Sequence, residues 1–209
     1  DAADAVADFS ALNLTADSYV NNDTARTVGA LRFGDTTADR NWVLTNALLA
    51  LATSVGQPVV TVSNQTATLQ AGVLGTQGFY KDGAGTLTLA GRTNNTFSGP
   101  VIVREGVLSV ISGNSLKNTS GTITVADGAA MTISDYTTAN VTNSLTLSGN
   151  GKGTYGALDV SQNQTFTGPI ALLADSRITV RDECKMYGTI TAGNKNLHLF
   201  QTGNYSWAT

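Results

Sequence analysis

The chain is poor in charge, histidine and cysteine. Charged residues make up 13% of its 209 positions, where an ordinary globular domain carries about a quarter. Glutamate occurs only as Glu105 and Glu183, histidine only as His198 and cysteine only as Cys184. A lone cysteine excludes an internal disulfide, and one cysteine with one histidine cannot make a structural zinc site. Polysaccharide lyases and hydrolases need clustered carboxylates beside a basic residue, and the adjacent acid pair here is Asp182-Glu183 alone. No catalytic constellation, metal centre or cofactor is therefore expected. The net charge is −3 with no basic patch, which argues against nucleic acid as a partner. No apolar run approaches the ~18 residues of a membrane helix; the longest apolar-rich stretch covers residues 47–52. The start, Asp1-Ala2-Ala3-Asp4, lacks both the basic and the apolar part of a signal peptide, as in a chain from which one has been removed.

What is abundant is glycine, with 22 residues, alongside threonine, serine and asparagine. With 41% hydrophobic residues the chain can bury a core, so this is not a disordered composition. The clearest stretch is Gly83-Ala84-Gly85-Thr86-Leu87-Thr88-Leu89-Ala90-Gly91, followed by Asn94-Asn95-Thr96-Phe97-Ser98-Gly99-Pro100-Val101-Ile102-Val103 and Glu105-Gly106-Val107-Leu108-Ser109-Val110. Leu87 and Leu89 alternate with Thr86 and Thr88, the period of a half-buried strand. The same grammar recurs in Leu108/Val110, Ile123/Val125, Leu145/Leu147, Leu158/Val160, Ile178/Val180 and Leu197/Leu199. Pro58 opens a strand, where proline is tolerated. Residues 45–55 could form a short helical cap, but no N-cap signature precedes them and strands are expected.

The phrase Asn95-Thr96-Phe97-Ser98-Gly99-Pro100 returns as Gln164-Thr165-Phe166-Thr167-Gly168-Pro169, 69 residues on. Gly121-Thr122-Ile123-Thr124 returns as Gly188-Thr189-Ile190-Thr191, 67 residues on. Both spacings suit about three coils of ~20–25 residues. Strands this short cannot stand alone. Coiling them places the apolar rows in one central column and lets backbone groups pair with the coil above and below. A β-sandwich would want longer strands and two-residue hairpins. The expected fold is all-β: a parallel β-helix (β-solenoid), a single column of short strands spanning 1–209 as one domain. Residues 1–24 would be an acidic N-terminal arm or cap and residues 200–209 an aromatic C-terminal end.

The stretch from Gly83 to Gly99 resembles the autotransporter-associated β-strand repeat of bacterial surface proteins. Its Gly-x-Gly-Thr-Leu-x-Leu and Asn-x-Phe-x-Gly elements carry the resemblance. The preceding Gly72-Val73-Leu74-Gly75 and Gly78-Phe79-Tyr80-Lys81, and the block from Thr27 to Asp35, are also similar to it. The resemblance implies a right-handed parallel β-helix, located extracellularly or at the cell surface of a bacterium.

Individual candidates are few. His198 alternates with two leucines and should point outwards without a catalytic partner. Cys184 lacks the histidine that a nucleophile requires. Calcium would need Asp127 and Asp135, or the N-terminal aspartates, yet no Gly-Gly-x-Gly-x-Asp repeat accompanies them. The pairs Thr66/Thr68, Thr86/Thr88, Thr122/Thr124 and Thr189/Thr191 could stack on one face and bind ice or sugar, or form an ordinary outward ladder. The expected function is non-enzymatic: an extracellular structural subunit whose ends join head to tail into a fibre or matrix. Phe9, Tyr19, Tyr205 and Trp207 are the contact candidates. The acidic start would complement Arg177, Arg181, Lys185 and Lys195. The alternatives are an adhesin or spacer module of a larger secreted protein and, less in keeping with the residues, a carbohydrate-active β-helix enzyme. The expected partner is the chain itself, with a surface polysaccharide as a further possibility.

Overall fold

Strands of two to six residues, with the twelve-residue Ile170–Arg181 as the exception, follow one another with a glycine, asparagine or aspartate at most corners, and the chain solves the problem of pairing them by winding. The computed structural model describes residues 2–63, 65–91, 95–111, 113–116, 119–134 and 140–202. They form a parallel β-solenoid of about eight turns. Each full turn has three sides. The first side stacks Val6–Phe9, Ala30–Phe33, Val59–Val62, Phe79–Asp82, Val101–Val103, Ile123–Val125, Leu145–Gly149, the opening of Ile170–Arg181, and Ile190–Thr191, all parallel. The second side stacks Ser18–Asn22, Trp42–Asn46, Thr66–Leu69, Thr86–Leu89, Val107–Val110, Ala130–Ser134, Leu158–Ser161, the end of Ile170–Arg181, and Leu197–Thr202. Residues 6–22 thus supply the first strands on two sides of the column.

The third side is less regular. Arg26–Val28, Leu49–Leu51 and Val73–Leu74 form one ladder, and Asn140–Val141, Thr165–Phe166 and Lys185–Met186 another. Between them, side chains take over part of the pairing. The buried Asn95 accepts the Val73 N–H on Oδ1 at 2.8 Å and donates from Nδ2 to the Ser115 carbonyl at 3.0 Å, linking the coil below to the coil above. The buried Asn143 reaches back to the Thr119 hydroxyl at 3.0 Å and the Gly121 carbonyl at 3.2 Å. A 3-10 turn at Gly113–Leu116 is the one helical element among the described residues. Residues 45–55 contain strand, in Trp42–Asn46 and Leu49–Leu51, as the flanking pattern predicts.

The alternating apolar pairs all point inwards. Leu87, Leu89, Val101, Val103, Leu108, Val110, Ile123, Val125, Leu145, Leu147, Leu158, Val160, Ile178 and Val180 are buried in one continuous core. Each buried aliphatic side chain contributes about 1.5–3 kcal/mol relative to exposure. At the first coils the core is aromatic: Phe33 lies 5.6 Å from Phe9 and 6.2 Å from Trp42, whose indole N–H donates to the Gly34 carbonyl at 2.7 Å. The register also explains the two sequence echoes. Val101, Ile123, Leu145 and Ile170 are successive partners, as are Ile123, Leu145, Ile170 and Ile190. Each echo therefore spans three coils.

Two features depart from a plain column. Residues 150–156 form a glycine-rich strap outside it. Lys152 Nζ donates to the Ala84 carbonyl at 2.6 Å, 68 residues back, and Arg177 donates to the Tyr155 carbonyl at the other end. Between these anchors, Val107, Ala130 and Ala157 sit at outward register positions yet are buried. The second departure is Lys81. It pairs with Val60 on one side and Val103 on the other, at an inward position with 0% exposure.

Candidate functional site

The residues picked out for chemistry are dispersed, and most are already engaged. His198 is exposed on the second side in register with Arg177. Cys184 is half-buried; its Sγ contacts the Arg181 carbonyl at 3.2 Å, and burial pushes the thiol pKa up, away from a thiolate. Asp159 is buried and receives both the Nε and Nη2 of Arg181 at 2.9 Å. Asp127 is exposed at a turn, and Asp135 lies outside the described residues. Among the described residues no three His, Cys, Asp or Glu side chains converge as a metal site.

The threonine pairs do not share one face. Thr66/Thr68 and Thr86/Thr88 stack in direct register on the second side. Thr124 and Thr191 belong to the first side, where their neighbours are Ile102 and Thr146, and Ala171. A single flat threonine array over all four pairs is thus ruled out by topology, since the second pair of motifs falls in strands of a different side.

The expected contact residues are likewise separated. Phe9 points into the column and packs between Phe33 and Trp42, 5.6 and 5.4 Å away. Tyr19 is 71% exposed on the outer second side. Tyr205 and Trp207 lie outside the described residues. The N-terminal aspartates are spoken for locally: Asp4 accepts the Ser54 N–H, Asp17 the Asn41 N–H, Asp23 pairs with Arg26, and Asp8 with Ser10 and Arg32. Hydrogen bonds from Ser10, then Arg32, hold the Asp8 carboxyl at about 2. At the other end Arg181 is held by Asp159, and Arg177 by strap carbonyls and the Phe200 ring.

Two arrangements emerge that residue types alone did not reveal. The first is inside. The Lys81 ammonium leaves the apolar column at its corner and donates to three carbonyls: Gly83 at 2.7 Å, Asp82 at 2.9 Å and, one coil on, Glu105 at 2.9 Å. Burial lowers its pKa to about 8, helped by the nearby charge of Lys152. Inner and outer lysines thus clasp the carbonyls of one corner, residues 82–84. The second arrangement is outside. On the first side Asp8, Arg32, Thr61 and Asp82 are successive register partners, and Arg104 then closes on Asp82 through Nε and Nη2. Beside this column runs a less polar one: Val6, Ala30, Val59, Tyr80 and Ile102. The Arg104 guanidinium lies 4.0 Å from the Tyr80 ring centroid.

The corner glycines, the buried lysine and the Asp82–Arg104 pair all fall within one stretch. Residues 79–110 match the Passenger-associated-transport-repeat family. In this structure the match spans the first- and second-side strands of two successive coils, from Phe79–Asp82 through Thr86–Leu89 and Val101–Val103 to Val107–Val110. The chain is also similar to the Adhesin BmaC autotransporter of Brucella suis biovar 1 (strain 1330), with 41% identity over 90 residues. That alignment covers 43% of this chain and 2% of the adhesin, so the chain corresponds to a small portion of its relative's length. No solved structure matches the chain.

Proposed function

We propose that this chain is a stretch of the exported, surface-exposed shaft of a bacterial adhesin, acting through its outer faces and not through catalysis. The observation that carries this reading is that the transport-repeat match coincides with two successive coils stacked in register within the parallel column. Each coil extends a shaft by ~4.8 Å, so eight turns reach about 40 Å. The similarity to an autotransporter adhesin supports an extracellular or cell-surface setting. The engaged carboxylates and the protonated thiol support a structural role. The test is adhesion: the chain coupled to beads should retain them on host cells or matrix above a scrambled-surface control, without depolymerising acidic or neutral polysaccharides. Polysaccharide cleavage without retention would overturn the reading.

End-to-end self-association belongs to the same proposal in a finer form. A further coil laid on Leu197–Thr202 would cover Leu199, which is inward in register with Ile178 yet 53% exposed. In this finer form that coil comes from another copy. Its charge complementarity is weaker than composition suggests, because the acids and arginines concerned are already paired. Filaments in electron micrographs of the purified chain would support the second copy; particles of one coil-stack length would overturn it.

A further inference from the structure

The outer charge column of the first side reads Asp8, Arg32, Thr61, Asp82, Arg104: negative, positive, neutral, negative, positive. This order is antisymmetric about Thr61. We infer that the first side docks laterally on the first side of a second copy, with the two columns antiparallel and related by a two-fold axis along the strands at Thr61. Reversing the column about Thr61 sets Asp8 opposite Arg104 and Arg32 opposite Asp82. The same axis sets Val59 on Val59, Ala30 opposite Tyr80 and Val6 opposite Ile102 in the apolar column. An isologous contact of this kind is self-complementary by construction. A two-fold along the solenoid axis would lack this match, since it aligns each rung with the same rung of the partner.

The groups are available for such a contact. The Arg32 and Asp8 side chains are 50% and 40% exposed. Arg104 and Asp82 form the second pair, with their charges likewise reaching the surface. Within one chain they form two separate surface pairs, each worth little on its own. Docking would merge them into networks of opposite charge shielded from water, which sets orientation and partner choice. The surface concerned is narrow, so the association is of the weak, reversible class. This surface lies on the side of the column, apart from its ends, and does not depend on the adhesive role proposed above.

Two swapped variants test it without breaking either internal pair: Asp8→Arg with Arg32→Asp, and Asp82→Arg with Arg104→Asp. Each keeps its own salt bridge but places like charges across the two-fold. Sedimentation equilibrium should show dimers of the wild type. Each swapped variant alone should dimerise at least tenfold more weakly. An equimolar mixture of the two should return to within threefold of the wild type, because the swaps complement one another. In a Cys184→Ser background, Thr61→Cys should be joined to its twin by a short bis-maleimide, whereas Thr132→Cys on the second side should not. A wild type that stays monomeric at millimolar concentration overturns the inference. So does self-association that both swaps leave unchanged, which would point to the ends of the column instead.

Discussion

The Lys81 ammonium donates across 2.9 Å to the carbonyl oxygen of Glu105, one coil further along. A charged side chain thereby occupies a row otherwise held by Leu31, Val60, Val103 and Val125. The aliphatic stem fills the row, and the head leaves it at the corner where three carbonyls converge. Truncation to alanine removes both. Lys81→Ala is expected to cost about 3–5 kcal/mol, and Lys81→Met, which keeps the stem, about 1–3 kcal/mol. Urea unfolding measures both. An alanine variant within 0.5 kcal/mol of the wild type, roughly the scatter of a surface change, would show that the clasp is incidental.

The same lysine sets a pH dependence. In the folded protein its pKa is lowered to about 8, whereas an unfolded lysine titrates at about 10.4. Between these values the unfolded chain binds more protons, so the Lys81 contribution to stability rises with pH. Relative to Lys81→Met, the wild type should gain on the order of 2–3 kcal/mol from pH 7.5 to pH 10.5. A constant difference between the two proteins over that range would contradict the buried ammonium.

Gly106 closes this corner with φ at 75°, and an added Cβ would run into the carbonyl oxygens of Gly85 and Gly83 and lie 2.7 Å from Lys81 Nζ. Gly128 has nearly the same φ, 76°, but no atom lies within 4 Å of its Cβ position. Gly128→Ala should therefore cost only the left-handed strain, about 1–2 kcal/mol. Gly106→Ala carries that strain plus the backbone collision, and is expected to lose about 3 kcal/mol or more. Equal thermal shifts for the two variants would mean that the corner relaxes freely.

The column itself was legible from the residues. Leu87/Leu89 and their counterparts alternate strictly, and the two echoes separate by whole coils, because each coil repeats one apolar requirement. Lys81 was not legible: alternation with Tyr80 and Asp82 places it inwards, but its charge argues outwards, and only its pairing with Val60 and Val103 decides. The charge column was hidden for another reason. Its members are 24, 29, 21 and 22 residues apart, since corner lengths vary from coil to coil. No fixed period in the sequence aligns them. The strap was equally hidden, because Lys152 and Ala84 lie three coils apart and meet only across the two coils between them.

Asp159 tests the outer second side. Its carboxylate is buried and held by both arms of the Arg181 guanidinium, whose own pKa is raised by that contact. Arg181→Met leaves a buried anion without its partner and is expected to destabilise by about 3 kcal/mol. Adding Asp159→Asn should recover part of that loss, since a neutral amide needs no counter-charge. A double variant no better than the single one would place the cost in packing of the arginine stem.

Asn95 bridges three coils where the third-side ladder lapses, accepting from Val73 below and donating to Ser115 above. Its amide is buried, so each lost bond leaves a main-chain group unsatisfied. Asn95→Leu keeps the volume but removes both bonds and is expected to cost about 2–4 kcal/mol. Asn95→Asp should be worse at neutral pH, because it keeps the acceptor for Val73 but sets a charge against the Ser115 carbonyl. Lowering the pH towards 4 should narrow the gap between the two variants as the new carboxyl gains a proton and, with it, a donor. Hydrogen exchange at the Val73 amide gives a local readout: it should quicken in the leucine variant and stay slow in the protonated aspartate. Unchanged protection in the leucine variant would show that the ladder at Val73 closes without the asparagine.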